Sequence, residues 1–215
     1  MLVQDVLHSD PVTVGSGTTL AEVLRILSRK QVRHVPVVDD GRLVGIISDR
    51  DIKSALALSQ GPVWEDGVRT AGQIMTRDPI TIAPMFLVEE AARIMVTNRI
   101  SALPVVQGSR LVGIVTETDL LHLLSRAMGM LEPSSRLDVI APAAVAALDD
   151  VIRTVEATGL RISSLMTWTT PAGAQDIVIR LATIDPGAAI KALESKGFAV
   201  RDSWRGRPTP RHAET

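Results

Sequence analysis

The fold of this chain is decided by the stretch Val35-Pro36-Val37-Val38-Asp39-Asp40-Gly41-Arg42-Leu43-Val44-Gly45-Ile46-Ile47-Ser48-Asp49-Arg50-Asp51. Its two short apolar runs flank a polar Asp-Asp-Gly turn, a pattern that predicts a β-hairpin. The second run ends in Ser-x-x-Asp and passes into a segment that predicts a helix. The pattern returns 68 positions later as Leu103-Pro104-Val105-Val106-Gln107-Gly108-Ser109-Arg110-Leu111-Val112-Gly113-Ile114-Val115-Thr116-Glu117-Thr118-Asp119.

The repeat extends well beyond the hairpin. The same offset of 68 residues aligns Pro11 with Pro79 and Glu22 with Glu90, and no insertion is needed between residues 10 and 120. Such self-similarity indicates two copies of one structural unit, each too small to bury a core alone. We therefore expect the copies to pack against each other.

Each copy has the same predicted plan. An extended Asp-Pro segment precedes a helix, the hairpin and a closing helix, residues 51–58 in the first copy and 119–128 in the second. Thr19 and Glu22 predict a capping box at the start of the first helix. This helix carries a buried apolar stripe at the i, i+3, i+4, i+7 spacing, formed by Leu20, Val23, Leu24 and Leu27 in the first copy and Val88, Ala91, Ala92 and Met95 in the second.

Composition excludes several classes of protein. Of the 215 residues, 46% are hydrophobic and 22% are charged, which indicates a globular chain. The net charge of −1 and the aromatic content of 2% do not favour nucleic-acid binding. The chain has no cysteine, and its four histidines lack a zinc-ligand spacing. We therefore expect no metal site and no cysteine nucleophile.

The first residues and the hydropathy bear on location and assembly. Residues 1–5 lack the basic and apolar regions of a signal peptide, and no apolar run approaches the ~20 residues that span a bilayer. We expect a cytoplasmic protein that binds no membrane. The mean hydropathy of +0.22 favours an oligomer, because it indicates more apolar surface than one chain buries.

The last third of the chain has a different pattern. Four strand-like and two helix-like segments follow one another in the order βαββαβ, which is typical of a ferredoxin-like fold. We therefore predict an α+β or α/β protein in which small sheets with flanking helices precede a ferredoxin-like domain. The predicted boundaries are 1–58 for the first repeat, 59–72 for a connector, 73–128 for the second repeat, 129–135 for a linker, 136–205 for the last domain and 206–215 for a disordered tail.

The Ser/Thr-x-x-Asp end of each hairpin is the main candidate for chemistry. Ser48 with Asp51, and Thr116 with Asp119, can simply cap the helices that follow. The same geometry suits a nucleotide, because a helix N-terminus offers backbone N–H groups and partial positive charge to a phosphate. The carboxylate one turn into the helix can accept both hydroxyls of a ribose. The two interpretations are compatible.

These motifs resemble a cystathionine-β-synthase (CBS) domain, present here as a tandem pair over residues 1–128. The Pro-Val-Thr-Val start, the His-Val-Pro-Val-Val-Asp hairpin, the Leu-Val-Gly-Ile-Ile strand and the Ser/Thr-x-x-Asp end carry the resemblance. In such pairs the Ser/Thr-x-x-Asp end contacts the phosphate and ribose of an adenine nucleotide, so the resemblance implies two nucleotide clefts and a homodimer. The predicted site also includes Val35, Pro36, Leu103, Pro104, Thr13 and Thr81, although both threonines could be ordinary strand residues.

The two clefts are predicted to be unequal. Arg33, His34 and Arg50 add positive charge to the first, whereas the matching positions of the second hold Ser, Ala and Thr. The first cleft should then favour a ligand with more phosphates. The arginines could instead lie on a solvated surface, and His34, which precedes an apolar strand, could be structural.

A ferredoxin-like domain after a CBS pair resembles an ACT domain, and the whole arrangement is similar to the bacterial acetoin-utilisation CBS–ACT proteins. Members of that family carry Pro-Gly at the first strand-to-helix turn. Here Pro142 is kept but Ala143 replaces the glycine, at a turn where amino-acid ligands often meet the backbone.

No catalytic motif occurs in the sequence, so we expect no enzyme activity. We expect a regulatory sensor of AMP, ADP, ATP or S-adenosylmethionine, with no obligatory cofactor, that relays binding to an unknown metabolic partner protein. The alternatives are a ligand-free structural or dimerisation adaptor and an amino-acid sensor that acts through the ACT-like domain.

Overall fold

The structure, a computed structural model, describes residues 1–57, 69–141, 145–170 and 175–202. The chain divides into two compact units, Met1–Leu121 and His122–Thr215. Three predictions fall outside the described residues: most of the connector, the turn at Pro142 and Ala143, and the tail.

The first repeat forms the predicted helix, hairpin and closing helix. Its elements are α1 Leu20–Lys30, β1 His34–Asp39, β2 Arg42–Ser48 and α2 Asp49–Ala57, followed by the short α3 Ala71–Ile74 and β3 Thr76–Arg77. The predicted connector extends to residue 72, and α3 begins at Ala71. Thr70 and Gln73 form a capping box around this turn, which the sequence analysis did not recognise.

Local interactions explain why these elements begin and turn where they do. Thr19 caps α1, since its Oγ1 accepts a hydrogen bond from the Glu22 backbone N–H at 3.2 Å. The Glu22 carboxylate pairs with Arg25, so the predicted capping box is only half formed. Between β1 and β2, Asp40 and Gly41 have positive φ angles of 48° and 76°, as a two-residue type I′ hairpin requires.

The second repeat reproduces this plan with the same offset of 68 residues. Its elements are α4 Val88–Asn98, β4 Ala102–Gln107, β5 Arg110–Thr116 and α5 Glu117–Ala127. The predicted stripe of the leading helix is buried in both copies, as shown by Leu20, Val23 and Leu27 in α1 and Val88, Ala91 and Met95 in α4.

The two repeats exchange their leading segments. Val3, in a 3-10 turn at Val3–Asp5, is fully buried in the core of the second repeat, whereas Ala71 is fully buried in the core of the first. Each exchanged segment then pairs with the strand that it crosses. Thr76 pairs with Ile46 of β2, and His8 pairs with Ile114 of β5.

Two glycines allow the exchanged segments to lie this close. A Cβ on Gly45 would clash with the Met75 sulfur and lie 3.0 Å from the Thr76 carbonyl oxygen, and a Cβ on Gly113 would lie 2.6 Å from Leu7 Cδ1 and 2.8 Å from the His8 carbonyl oxygen. A glycine inside a strand often marks such an approach of another segment. Both glycines lie one residue before the strand residue that pairs with the crossing segment.

The second unit contains one antiparallel sheet and two helices. Its elements are β6 Ser135–Ala141, α6 Val145–Glu156, β7 Ile162–Thr169, β8 Gln175–Leu181, α7 Gly187–Ser195 and β9 Ala199–Asp202. The strands lie in the order β7-β8-β6-β9, and every neighbouring pair is antiparallel. Val151 and Val155 of α6 are fully buried against this sheet, and Ile152 is partly buried.

Candidate functional site

The end of β2 and the start of α2 form a compact hydrogen-bonded cap. Asp51 Oδ2 accepts hydrogen bonds from Ser48 N and from Ser48 Oγ, both at 2.7 Å. Ser48 Oγ in turn accepts from Asp51 N at 3.2 Å. The helix-capping interpretation is therefore realised in the folded chain, and the same groups line a cavity.

The second repeat builds the same cap between β5 and α5. Asp119 Oδ2 accepts from Thr116 N at 2.8 Å and from Thr116 Oγ1 at 2.7 Å, and Asp119 N lies 3.4 Å from Thr116 Oγ1. Two chemically equivalent helix starts thus lie within the first unit.

Each helix start opens into a cavity that both repeats build. The first cavity, about 340 Å³, takes Ser48, Arg50 and Asp51 from the first repeat and residues 78–80 and 99–102 from the second. The second cavity, about 320 Å³, takes Thr116, Thr118 and Asp119 from the second repeat and residues 10–12 and 31–34 from the first. Because each cavity takes residues from both repeats, the two cavities have related linings that differ in their residues.

Arg33 and His34, predicted to add positive charge to the first cleft, line both cavities. Arg33 immediately precedes β1, and His34 is the first residue of that strand. Arg33 Nη2 donates to Thr118 Oγ1 at 3.2 Å, and His34 Nε2 is 3.0 Å from Ser101 Oγ. Sequence reasoning assigned both residues to the cleft of their own repeat, whereas they also line the cavity at Thr116 and Asp119.

The remaining predicted site residues are divided between wall and core. Ser48, Asp51 and Arg50 line the first cavity, and Thr116 and Asp119 line the second. The other predicted residues are not among the described residues that line either cavity. They are Thr13 and Thr81 in the extended Asp-Pro segments, and Val35, Pro36, Leu103 and Pro104, which are buried in the hairpins.

The backbone carbonyls of the buried prolines hold the extended Asp-Pro segments in place. The Pro36 carbonyl accepts from Val14 N at 3.2 Å, and the Pro104 carbonyl accepts from Ile82 N at 3.1 Å. These bonds tie each Asp-Pro segment to the hairpin of its own repeat.

Sequence reasoning missed many of the lining residues, and three of them bear on the chemistry of the cavities. His8 lines the second cavity, and Thr76 and Arg99 line the first. His8 and Thr76 occupy equivalent positions, because the 68-residue offset that relates the repeats also relates these two residues. Extending the alignment upstream of residue 10 would have revealed the pair.

Charge is distributed unequally between the cavities. Arg33, Arg50 and Arg99 line the first, whereas Arg33 is the only arginine among the described residues that line the second. Burial lowers the pKa of His34 below its usual value of 6.5, and the positive charge of Arg33 lowers it further, against the effect of nearby carboxylates. We therefore treat His34 as neutral near pH 7 and Arg33 as the shared cation.

The described residues also bear on metal binding and on membrane spans. Within the described ranges, no cluster of three or more His, Asp or Glu side chains is arranged to hold a metal ion. Over the same part of the chain, every helix is too short or too polar to cross a bilayer.

The family is shown by the sequence itself. The family model of the CBS domain matches residues 3–58 and 71–126, slightly more than half of the chain. The chain therefore belongs to the CBS domain family and carries a tandem pair.

Two curated relatives illustrate where such pairs occur. A CBS domain-containing protein of Dictyostelium discoideum is 34% identical over 143 residues, which are 63% of this chain and 99% of the relative. The L-aspartate semialdehyde sulfurtransferase of Methanocaldococcus jannaschii is 39% identical over 124 residues, which are 57% of this chain but only 23% of the enzyme. The chain thus spans nearly all of one relative and less than a quarter of the other.

Three solved structures share the fold of the pair. The CBS domain pair of protein MJ0100, in complex with 5′-methylthioadenosine and S-adenosyl-L-methionine, is 38% identical; the match covers 58% of this chain and 96% of that one with a TM-score of 0.53. CBSX2 in complex with AMP is 27% identical over 57% of this chain and 95% of its own, with a TM-score of 0.51. A Vibrio cholerae protein described as a candidate acetoin utilization protein is 28% identical over 61% of this chain and 96% of its own, with a TM-score of 0.55.

Proposed function

We propose that this chain is a non-catalytic regulatory sensor that binds adenine nucleotides in the two cavities of its CBS pair. The observation that carries the proposal is the repeated cap: both cavities contain a helix start with a hydroxyl and a carboxylate already held 2.7 Å apart. CBS pairs are generally regulatory modules without enzymatic activity of their own, which agrees with this function.

The chemistry of the cavity walls fits the parts of a nucleotide. The N-terminal turn of α2 can donate to a phosphate, which the helix dipole also favours. Asp51 can accept the ribose hydroxyls, and cavities of about 340 Å³ and 320 Å³ lie in the range of small-molecule sites. Arg33, Arg50 and Arg99 support the proposal that the first cavity takes the ligand with more phosphates.

Two relatives of known ligand support the ligand class. One CBS pair was solved with 5′-methylthioadenosine and S-adenosyl-L-methionine, and CBSX2 was solved with AMP. These ligands share adenine on a ribose but differ in the group at the 5′ carbon, which points to recognition of the nucleoside rather than of one fixed phosphate group.

Calorimetric titration of AMP into the wild type and into Asp51→Ala and Asp119→Ala tests this function. Loss of a hydrogen bond to a charged group costs ~1.5–3 kcal/mol, or roughly ten- to a hundredfold in affinity. We expect each variant to weaken one of two binding events by that factor. ADP, ATP and S-adenosylmethionine are titrated in parallel to rank the ligands.

Asp149→Ala is the matched control, because Asp149 is an exposed carboxylate on α6 that pairs with Arg153. It should bind AMP as the wild type does. The function is refuted if no adenosine compound binds the wild type, or if both cavity variants bind like the wild type.

We also propose that the second unit is an ACT-like domain of the ferredoxin-like class that relays ligand binding to a metabolic partner. Its element order and the sheet order β7-β8-β6-β9 support this assignment. The similarity to the Vibrio cholerae protein supports a role related to acetoin metabolism. Leu121 and Leu124 of α5, 62% and 51% exposed, support a homodimer.

A ligand-free adaptor is the second candidate function. One observation favours it: in both caps the serine or threonine already satisfies the aspartate, so neither helix start needs a ligand to be stable. An adaptor would use the same pair as a rigid scaffold, and nucleotides would leave its stability unchanged.

A further inference from the structure

The carboxylate of the second cavity is engaged on both oxygens. Asp119 Oδ2 holds the Thr116 cap, and Asp119 Oδ1 lies 2.9 Å from His8 Nε2. His8 reaches this position because the exchanged segment crosses β5, where its backbone exchanges hydrogen bonds of 2.9 and 3.1 Å with Ile114. An internal group thus occupies the oxygen that a ribose would use.

The first cavity has no counterpart of this contact. Its position equivalent to His8 is Thr76, which lines the cavity wall. Asp51 Oδ2 holds the Ser48 cap, and Asp51 Oδ1 accepts no hydrogen bond from a side chain in residues 1–57 and 69–141. The two aspartates therefore offer a ligand different numbers of open acceptor atoms.

We propose that His8 competes internally for the ribose diol in the second cavity, so that this cavity binds adenosine ligands more weakly than the first. The inference deepens the proposed function and rests on it. The His8 side chain is 66% exposed, whereas that of Asp119 is 14% exposed. His8 can therefore rotate into solvent without disturbing the core, and a ligand must bring about this release in order to use both oxygens of Asp119.

The substitution His8→Thr gives the second cavity the residue of the first, and Thr76→His makes the reverse change. Each is tested by AMP titration in a background that silences the other cavity: His8→Thr with Asp51→Ala, and Thr76→His with Asp119→Ala. We expect His8→Thr to tighten AMP binding about tenfold and Thr76→His to weaken it about tenfold, since each change removes or adds one hydrogen bond to a charged group.

A second probe shows whether the ribose hydroxyls are the competing groups. 2′-Deoxy-AMP lacks one of the two ribose hydroxyls. His8→Thr should therefore increase the affinity for 2′-deoxy-AMP less than it increases the affinity for AMP. Melting temperatures of all variants establish that they are folded.

The outcomes separate this inference from the proposed function. If Asp51→Ala and Asp119→Ala each remove a site but His8→Thr leaves the affinity unchanged or weakens it, the competition is refuted and the function stands. Equal gains for AMP and 2′-deoxy-AMP would also refute competition with the diol. If AMP binds no variant and not the wild type, the function and the inference both fall.

Discussion

His34 links the two cavities at the scale of a single side chain. It lines both cavities, lies 3.0 Å from Ser101 of the other repeat, and is largely withdrawn from water. Burial is the main reason why its pKa is lowered, followed by the charge of Arg33. Its protonation therefore opposes folding.

The lowered pKa of His34 predicts a loss of stability in mild acid. The unfolded chain binds a proton at His34 near the usual value of 6.5, whereas the folded chain does so only at lower pH. The contribution of His34 to the free energy of unfolding is therefore fully present above pH 6.5 and is lost as the pH drops toward the pKa of the folded chain. Denaturant unfolding between about pH 7.5 and about pH 5.5 should show this slope in the wild type and a smaller slope in His34→Gln.

His122→Gln serves as the control for this measurement, since His122 is exposed on α5. In this variant the free energy of unfolding should depend on pH as steeply as in the wild type. A slope that is equally steep in His34→Gln would show that other groups cause the loss in acid.

The crossing of strands by the exchanged segments is the decisive feature at the scale of elements. A Cβ on Gly113 of β5 would lie 2.8 Å from the His8 carbonyl oxygen, whereas a Cβ on Gly45 of β2 would clash mainly with the Met75 side chain and lie 3.0 Å from the Thr76 carbonyl oxygen. A flexible side-chain end can move aside, but a backbone carbonyl that is already hydrogen-bonded cannot do so cheaply.

Gly113→Ala should therefore destabilise the chain by about 1–3 kcal/mol, and Gly45→Ala should cost less. Gly17→Ala is the control, because its Cβ would meet nothing within 4 Å and its φ is not positive. Urea denaturation of the three variants measures the order of their free energies of unfolding. Equal stabilities for Gly113→Ala and Gly17→Ala would contradict the close approach.

The repeat explains how much of this architecture could be predicted. Hairpins, helices and the Ser/Thr-x-x-Asp caps are local, so periodicity and turn residues were sufficient to predict them. The exchange was not predictable in this way, because a three-residue turn at Val3–Asp5 and the two-residue β3 carry no periodic signal. For the same reason His8, Thr76 and Arg99 were missed, since tertiary packing brings them to the cavities.

At the scale of the whole molecule, the two candidate functions differ in thermodynamics. A ligand that binds only the folded chain stabilises it by RT ln(1 + [L]/Kd), which is ~2.7 kcal/mol per site at a hundredfold excess over Kd. A ligand-free adaptor gains nothing from a nucleotide.

The melting temperature of the full chain should therefore rise with AMP concentration. The rise should be smaller in Asp51→Ala and should vanish in the Asp51→Ala/Asp119→Ala double variant, since the variants progressively remove the sites. Differential scanning calorimetry measures this, with adenine-free ribose 5-phosphate as the control compound. A melting temperature that saturating AMP does not change would favour the adaptor.

The exchange of leading segments also sets the order in which the pair can be completed during synthesis. Residues 1–8 are translated before the rest of the pair, yet the partner of His8 in β5 is translated more than a hundred residues later. At ~5–20 residues per second, this means a wait of about 5–20 seconds. The core of the first repeat likewise lacks Ala71 until the segment that follows this repeat has been translated. We expect the nascent pair to close in one late cooperative event rather than one repeat at a time.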